Sequence, residues 1–245
     1  MMTVKVTLFR GLLLFLSVTG AVLSGSLLLV QASMGTGGQG ATIAVLDTQP
    51  ETTAAVLQEI TFPYCLGNDI WIEMVTGYEG LYTEDESMEP IVDGAAIVLY
   101  NGGERMLEDV EVTLATDRDD LVFSGTYLPP GERTMILAQE KGLYTNQKIL
   151  GAEVKYDLVE TPWAQTIAFT DWDEKGLLLV NTGTETVADI TVLYKTYYKE
   201  LGFYLGGLTY QAYAGSLEAG EDTILPLSNY ASGYSRVILV VSQTE

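Results

Sequence analysis

"NGGERMLEDVEVTL" at residues 101–114 returns eighty positions later as "NTGTETVADITVLY" at residues 181–194. Asn101/Asn181, Gly103/Gly183, Asp109/Asp189 and Val112/Val192 are identical at that offset, and Leu107/Val187, Val110/Ile190 and Leu114/Tyr194 stay apolar. A turn built on Asn and Gly, followed by apolar residues at alternate positions, spells a strand with one buried face. Its double occurrence predicts that the chain uses one β-architecture twice.

The likeness extends outward from that phrase. "AAIVLY" (95–100) precedes the first copy as "GLLLV" (176–180) precedes the second, and "LPPGE" (128–132) matches "LEAGE" (217–221). Beyond these, "YTNQKILGAEV" (144–154) corresponds to "SGYSRVILVV" (232–241). The offset grows from 80 to 89, because the second copy holds nine more residues within "KTYYKELGFYLGGLTYQAYAG" (195–215).

"IWIEMV", "VEVTL", "RTMILA", "AEVKYDLV", "ITVLYKTYY", "TILPL" and "RVILVV" add further short runs between Gly, Pro, Asn and Asp turns. Strands that follow one another without intervening helices predict antiparallel sheets, and a sheet with one apolar face is buried most simply against a second sheet. The expected fold class is all-β: two tandem antiparallel β-sandwiches at residues 64–160 and 161–245, joined around "VETPWAQT" (159–166).

"NGGERMLEDVEVTL" with "LPPGE", and "NTGTETVADITVLYK" with "LEAGE", resemble the immunoglobulin-like (Ig-like) modules of bacterial surface proteins grouped as CARDB-like or FxLYD-like. The chain is also similar to exported bacterial proteins carrying a Tyr-Lys-Thr-Tyr and Leu-Gly-Gly-x-Thr-Tyr stretch, matched at Tyr194, Lys195, Thr196, Tyr197, Leu205, Gly206, Gly207, Thr209 and Tyr210. The resemblance covers about 180 residues and implies an Ig-like topology for both sandwiches. Ala219 stands where the pattern has proline.

Upstream, residues 1–10 end in Arg10 and precede "GLLLFLSVTGAVLSGSLLLV" (11–30), which carries no charge. Twenty apolar residues in helical form span a bilayer, and Lys5 and Arg10 predict that the short end stays in the cytoplasm. Residues 11–32 are therefore expected to be a transmembrane anchor, or alternatively a signal peptide cut after "VQA" (30–32). Residues 33–63 form a spacer with Gly-rich "GTGGQG" (35–40) and a short helix over "TQPETTAAVLQEI" (48–60). The expected location is the bacterial cell membrane with the C-terminal part outside, or a secreted state if the segment is cleaved.

Composition narrows the function classes. The chain of 245 residues holds 33 acidic residues against 12 Lys and Arg, a formal net charge of −21. Nucleic acid and anionic headgroups are repelled by such a field, so neither is an expected partner, and the membrane is met only through the N-terminal helix. No histidine is present, which removes Ser-His and Cys-His nucleophile pairs and most transition-metal sites. The single cysteine, Cys65, cannot close an intramolecular disulfide and is expected to be a small buried residue beside Phe62, Tyr64 and Ile70.

Two sets of residues are candidates for binding. Tyr197, Tyr198, Phe203, Tyr204 and Tyr210 lie in the second copy's insertion, where "ELGFYLGG" (200–207) predicts a protruding hairpin with exposed aromatic anchors. Asp117 and Asp119, and Asp171 and Asp173, have the alternate spacing of loop oxygen ligands for calcium, without the glycine and twelfth-position glutamate of an EF-hand. Paired carboxylates could also cleave glycosides, but small sandwiches seldom enclose the cleft this requires. The expectation is a non-catalytic, membrane-tethered binding or envelope-assembly module that meets an envelope or surface protein through the Tyr-rich hairpin. The alternative is carbohydrate binding, possible with calcium; no other cofactor is expected.

Overall fold

A computed structural model describes residues 58–243, apart from 86, 88, 161 and 162. The first copy forms β1 (Tyr64–Gly67), β2 (Ile70–Leu81), β3 (Pro90–Asn101), β4 (Leu107–Thr116), β5 (Leu121–Leu128), β6 (Arg133–Leu137) and β7 (Ile149–Leu158). The second forms β8 (Ile167–Asp173), β9 (Gly176–Asn181), β10 (Val187–Tyr198), β11 (Phe203–Leu205), β12 (Tyr210–Leu217), β13 (Asp222–Pro226) and β14 (Ser235–Gln243). The period-two runs all fall in strands, to within a residue at their ends. Among the described residues there is a single turn of 3-10 helix, Gln139–Lys141, and no α-helix. The fold is all-β, and among the described residues the strands pair antiparallel except for β6 with β11.

Strand pairing repeats as the sequence does. In the first copy β2, β3 and β6 lie side by side in one sheet, and β5, β4 and β7 in another. In the second copy β8, β9 and β13 are adjacent, and β12, β10 and β14 are adjacent. The registers agree: Leu99 pairs with Thr134 as Leu179 pairs with Thr223, and Leu107 with Leu128 as Val187 with Leu217. The last strands differ from the sequence match, since Val112 faces Val154 while Val192 faces Val240, an offset of 86 (240 − 154).

The repeated asparagine explains the repeated phrase. Asn101 is buried, and its Nδ2 donates to the carbonyls of Arg105 (2.9 Å) and Leu128 (3.0 Å), while its Oδ1 accepts from the Gly103 amide (3.1 Å). Asn181 does the same, to Glu185 (2.7 Å), Leu217 (3.0 Å) and from Gly183 (2.9 Å). One side chain thus closes the turn after β3 or β9 and ties it to the end of β5 or β12, satisfying three backbone groups that burial would otherwise orphan. The backbone of each asparagine accepts from Gly131 or Gly220, both at positive φ, which is what the L-x-x-G-E phrase supplies.

The two copies share a sheet. β11 pairs in parallel with β6, Tyr204 opposite Thr134 and Leu205 opposite Met135. An eight-stranded sheet therefore runs β1-β2-β3-β6-β11-β10-β12, with β14 also on β10. Burial follows that continuity: Leu193, Tyr204, Ile238 and Leu239 of the second copy join the core around Ile97, Leu99, Val112, Phe123 and Ile136 of the first. β10 is buried on both faces, because Ile190, Val192 and Tyr194 enter the second copy's own core.

Residues 11–32 and most of the helical reading over 48–60 lie outside the described residues, and 58–60 are not helical; Ile60 N–H donates instead to Ile149. Among the described residues no helix is long and apolar enough to cross a membrane. Cys65 is exposed rather than buried, because Tyr64 and Leu66 take the inward positions of β1 and strand alternation turns Cys65 out.

Candidate functional site

The insertion that reads as a protruding hairpin is instead docked on the first copy. Its tip glycine, Gly202, has positive φ and turns the chain after Tyr198 back along β10, so Tyr197 faces Tyr204 and Tyr198 faces Phe203. The open edge of β6 then takes up β11, the Gly206 amide donating to Met135 at 2.8 Å. Each candidate aromatic has a definite place. Tyr204 is buried, edge-on to Tyr197 at 5.3 Å, and burial pushes its phenol up to about 12. Tyr197 is half-buried under the Arg236 guanidinium, 3.3 Å above its ring. Tyr198 and Phe203 are half-buried against each other, and Phe203 packs with Leu205 on a cluster of Tyr82, Ile91, Ala96, Val98 and Met135. Tyr210 stacks on buried Tyr194 at 5.6 Å.

A buried polar group sits in this seam. Lys195 is 1% exposed on β10, and its Nζ donates to the carbonyls of Thr126 (2.9 Å) and Gly207 (2.7 Å) and to Thr209 Oγ1 (3.2 Å). Across Gly207, the Glu84 carboxylate accepts from the amides of Leu137 (2.8 Å) and Gly207 (2.7 Å). Burial raises the Glu84 pKa to about 7 against the pull of those two amides and of Lys195, and burial lowers that of Lys195 to about 7 against the pull of Glu84. Three oxygens around an ammonium and two amides on a carboxylate are the partners of the charged forms. Desolvation opposes both charges.

Gly207 makes this arrangement possible. A Cβ there would sit on the Ser124 carbonyl oxygen, 2.9 Å from Glu84 Oε2 and 3.0 Å from Gly125 Cα, so only a glycine lets the second copy's chain lie on β5. Beside it opens a cleft of about 510 Å³ lined by Tyr82, Glu84, Thr126, Leu137, Lys141 and Gly207. In the sequence Lys195 stands only within the Tyr-Lys-Thr-Tyr match and Glu84 only within the acidic run "YTEDESMEP" (82–90), so their meeting is not read there, although a lysine inside "ITVLYKTYY" is the mark of a cation on a doubly buried strand.

The acidic candidates are employed locally. Asp117 Oδ1 accepts from the Lys148 amide at 3.0 Å, and the Asp119 carbonyl accepts from Thr116 Oγ1 at 2.9 Å. Asp171 takes the hydroxyls of Tyr230 and Ser232, and Asp173 caps the turn at the Lys175 amide (2.8 Å). Among the described residues no group of three His, Cys, Asp or Glu side chains converges as a metal site.

No family model matches the chain, and no curated protein or solved structure is significantly similar to it.

Proposed function

We propose that the chain is a non-catalytic, membrane-tethered module of the bacterial envelope, two Ig-like sandwiches held outside the membrane for contact with a protein partner. The observation that carries this reading is the twofold pairing pattern of three strands against three, with one sheet of each copy joined to the other's through β6 and β11. An arrangement in which the most distinctive insertion is devoted to fixing two copies against each other supports a display body. The Tyr-rich hairpin belongs in this reading to the joint, with contact left to strand edges and faces around it. Glu84 and Lys195 are held by the backbone of the seam, the carboxylate by the amides of Leu137 and Gly207 and the ammonium by the carbonyls of Thr126 and Gly207.

The exposed thiol of Cys65 gives a direct test of export, since it is the chain's one cysteine. A membrane-impermeant maleimide applied to intact cells is expected to label the protein as fully as it does after lysis, and the Cys65→Ser variant should take no label. Labelling that appears only once the cells are broken would refute the exported reading.

A further inference from the structure

The two copies hold the same strand in two different states, covered in one and open in the other. β6 of the first copy and β13 of the second are equivalent: Thr134 and Thr223 coincide, Met135 matches Ile224, and the neighbouring Val98 on β3 matches Leu178 on β9. On β6 both the edge and the outer face are occupied. Leu205 and Tyr204 pair along the edge, Phe203 and Leu205 lie over the face, and Val98 and Met135 are left 4% and 8% exposed.

Nothing among the described residues covers the equivalent surface of β13. The strand pairs with β9 alone, so its outer edge is free, and Ile224 is 48% exposed. Thr170, Leu178 and Ile224 stand in one cross-strand row, and Trp172, two residues along β8 from Thr170, is 55% exposed. The charge differs from that of the occupied site. Arg133 begins β6, whereas Asp222 begins β13, with Glu218 and Glu221 just before it and Glu174 in the turn after β8.

The geometry points to β13 and the Trp172–Leu178–Ile224 face as a strand-accepting dock for a partner protein. Its occupant is an extended segment with Phe or Leu at alternate positions, flanked by Lys or Arg, which adds in parallel to β13 as β11 adds to β6. Backbone pairing supplies affinity, the alternate apolar side chains select the face, and the flanking cations answer Asp222, Glu218 and Glu221. Pro226 ends β13 where Leu137 ends β6; the Leu137 amide bonds Glu84 and not β11, so the proline removes no donor that the docked strand uses.

This inference rests on the reading of the chain as a binding module, yet it is tested apart from export. The probe is a dye-labelled synthetic peptide of the chain's own "GFYLG" (202–206) flanked by lysines, titrated by fluorescence anisotropy against the full chain in detergent. Saturable binding is expected, weakened about tenfold or more by Ile224→Lys, the loss of one well-buried apolar contact. Circular dichroism should be unchanged, because Ile224 is exposed. N-methylation of the peptide's second glycine, the counterpart of the Gly206 amide, should weaken binding comparably, and replacing the flanking lysines by glutamates should abolish it. Absence of binding overturns the dock, and so does binding indifferent to Ile224→Lys, which would place the peptide on β6 or elsewhere. Self-association of the chain that excludes the peptide and is broken by the same substitution would overturn it in favour of a second copy as occupant. Cys65 labelling on intact cells is unaffected by any of these results.

Discussion

Truncating Asn181 to alanine is the sharpest test of why the phrase is repeated. The substitution removes two donated hydrogen bonds, to Glu185 and Leu217, and one accepted from Gly183, at a side chain with no solvent exposure. At about 1 kcal/mol net for each buried bond the loss is about 3 kcal/mol, with the unpaired Leu217 carbonyl taking it upward and water entering at the turn taking it downward. Asn101→Ala breaks the same three bonds in the first copy and should cost the same within about 1 kcal/mol. For a unit of this size that corresponds to a fall in Tm of roughly 6 to 12 °C. Asn181→Asp is the harsher replacement, since it turns an oxygen toward two carbonyls. Urea unfolding followed by far-UV circular dichroism, with Tm from calorimetry, measures all three. A cost below about 1 kcal/mol for either alanine variant, or a large cost in one copy and none in the other, refutes the claim that the asparagine is the reason for the repeat.

Three further outcomes concern the seam. Glu84 has its pKa raised from 4.5 to about 7, so the stability it favours is complete below pH 4.5 and lost as pH rises through 7. Glu84→Gln should therefore gain on the wild type by about 2 kcal/mol between pH 4.5 and 7.5, after allowance for partial solvent access, when urea midpoints are compared along that range. Lys195, lowered from 10.5 to about 7, runs the other way: its contribution is complete above pH 10.5 and lost as pH falls to 7, so the gap between wild type and Lys195→Met must narrow in the wild type's favour on the alkaline side. Parallel curves for wild type and either variant would remove the buried-charge account. Gly207→Ala should destabilise by about 3 kcal/mol, since its Cβ meets the backbone of Ser124 and Gly125, which cannot swing aside. A neutral result in chemical denaturation would mean that the second copy's chain does not lie on β5.

The strands were legible because their burial is one-sided and local. Val110, Val112 and Leu114 alternate with Glu111 and Thr113 in β4, and nothing outside the sandwich is needed to read that. The hairpin misled for the opposite reason. Glycines and tyrosines in "ELGFYLGG" specify a turn and two strands correctly, yet whether Tyr204 meets solvent depends on Thr134, seventy residues away (204 − 134). Cys65 failed similarly, since four residues of an edge strand give too short an alternation to tell inside from outside. Lys195 and Glu84 come together only in three dimensions, through Gly207, and no spacing in the sequence joins position 84 to position 195.

The parallel pairing of β6 with β11 also sets a problem of timing for biosynthesis. A ribosome releases Arg133–Leu137 long before Phe203–Leu205, and for that interval the first copy emerges with a bare strand edge above the apolar side chains of Val98 and Met135. Such an edge is a template for joining neighbouring nascent chains. The later segment ends the exposure by capping it from within the same polypeptide. The insertion thus acts as a guardian built into the chain, and any truncation before residue 203 releases a fragment that has lost its protection against its own kind.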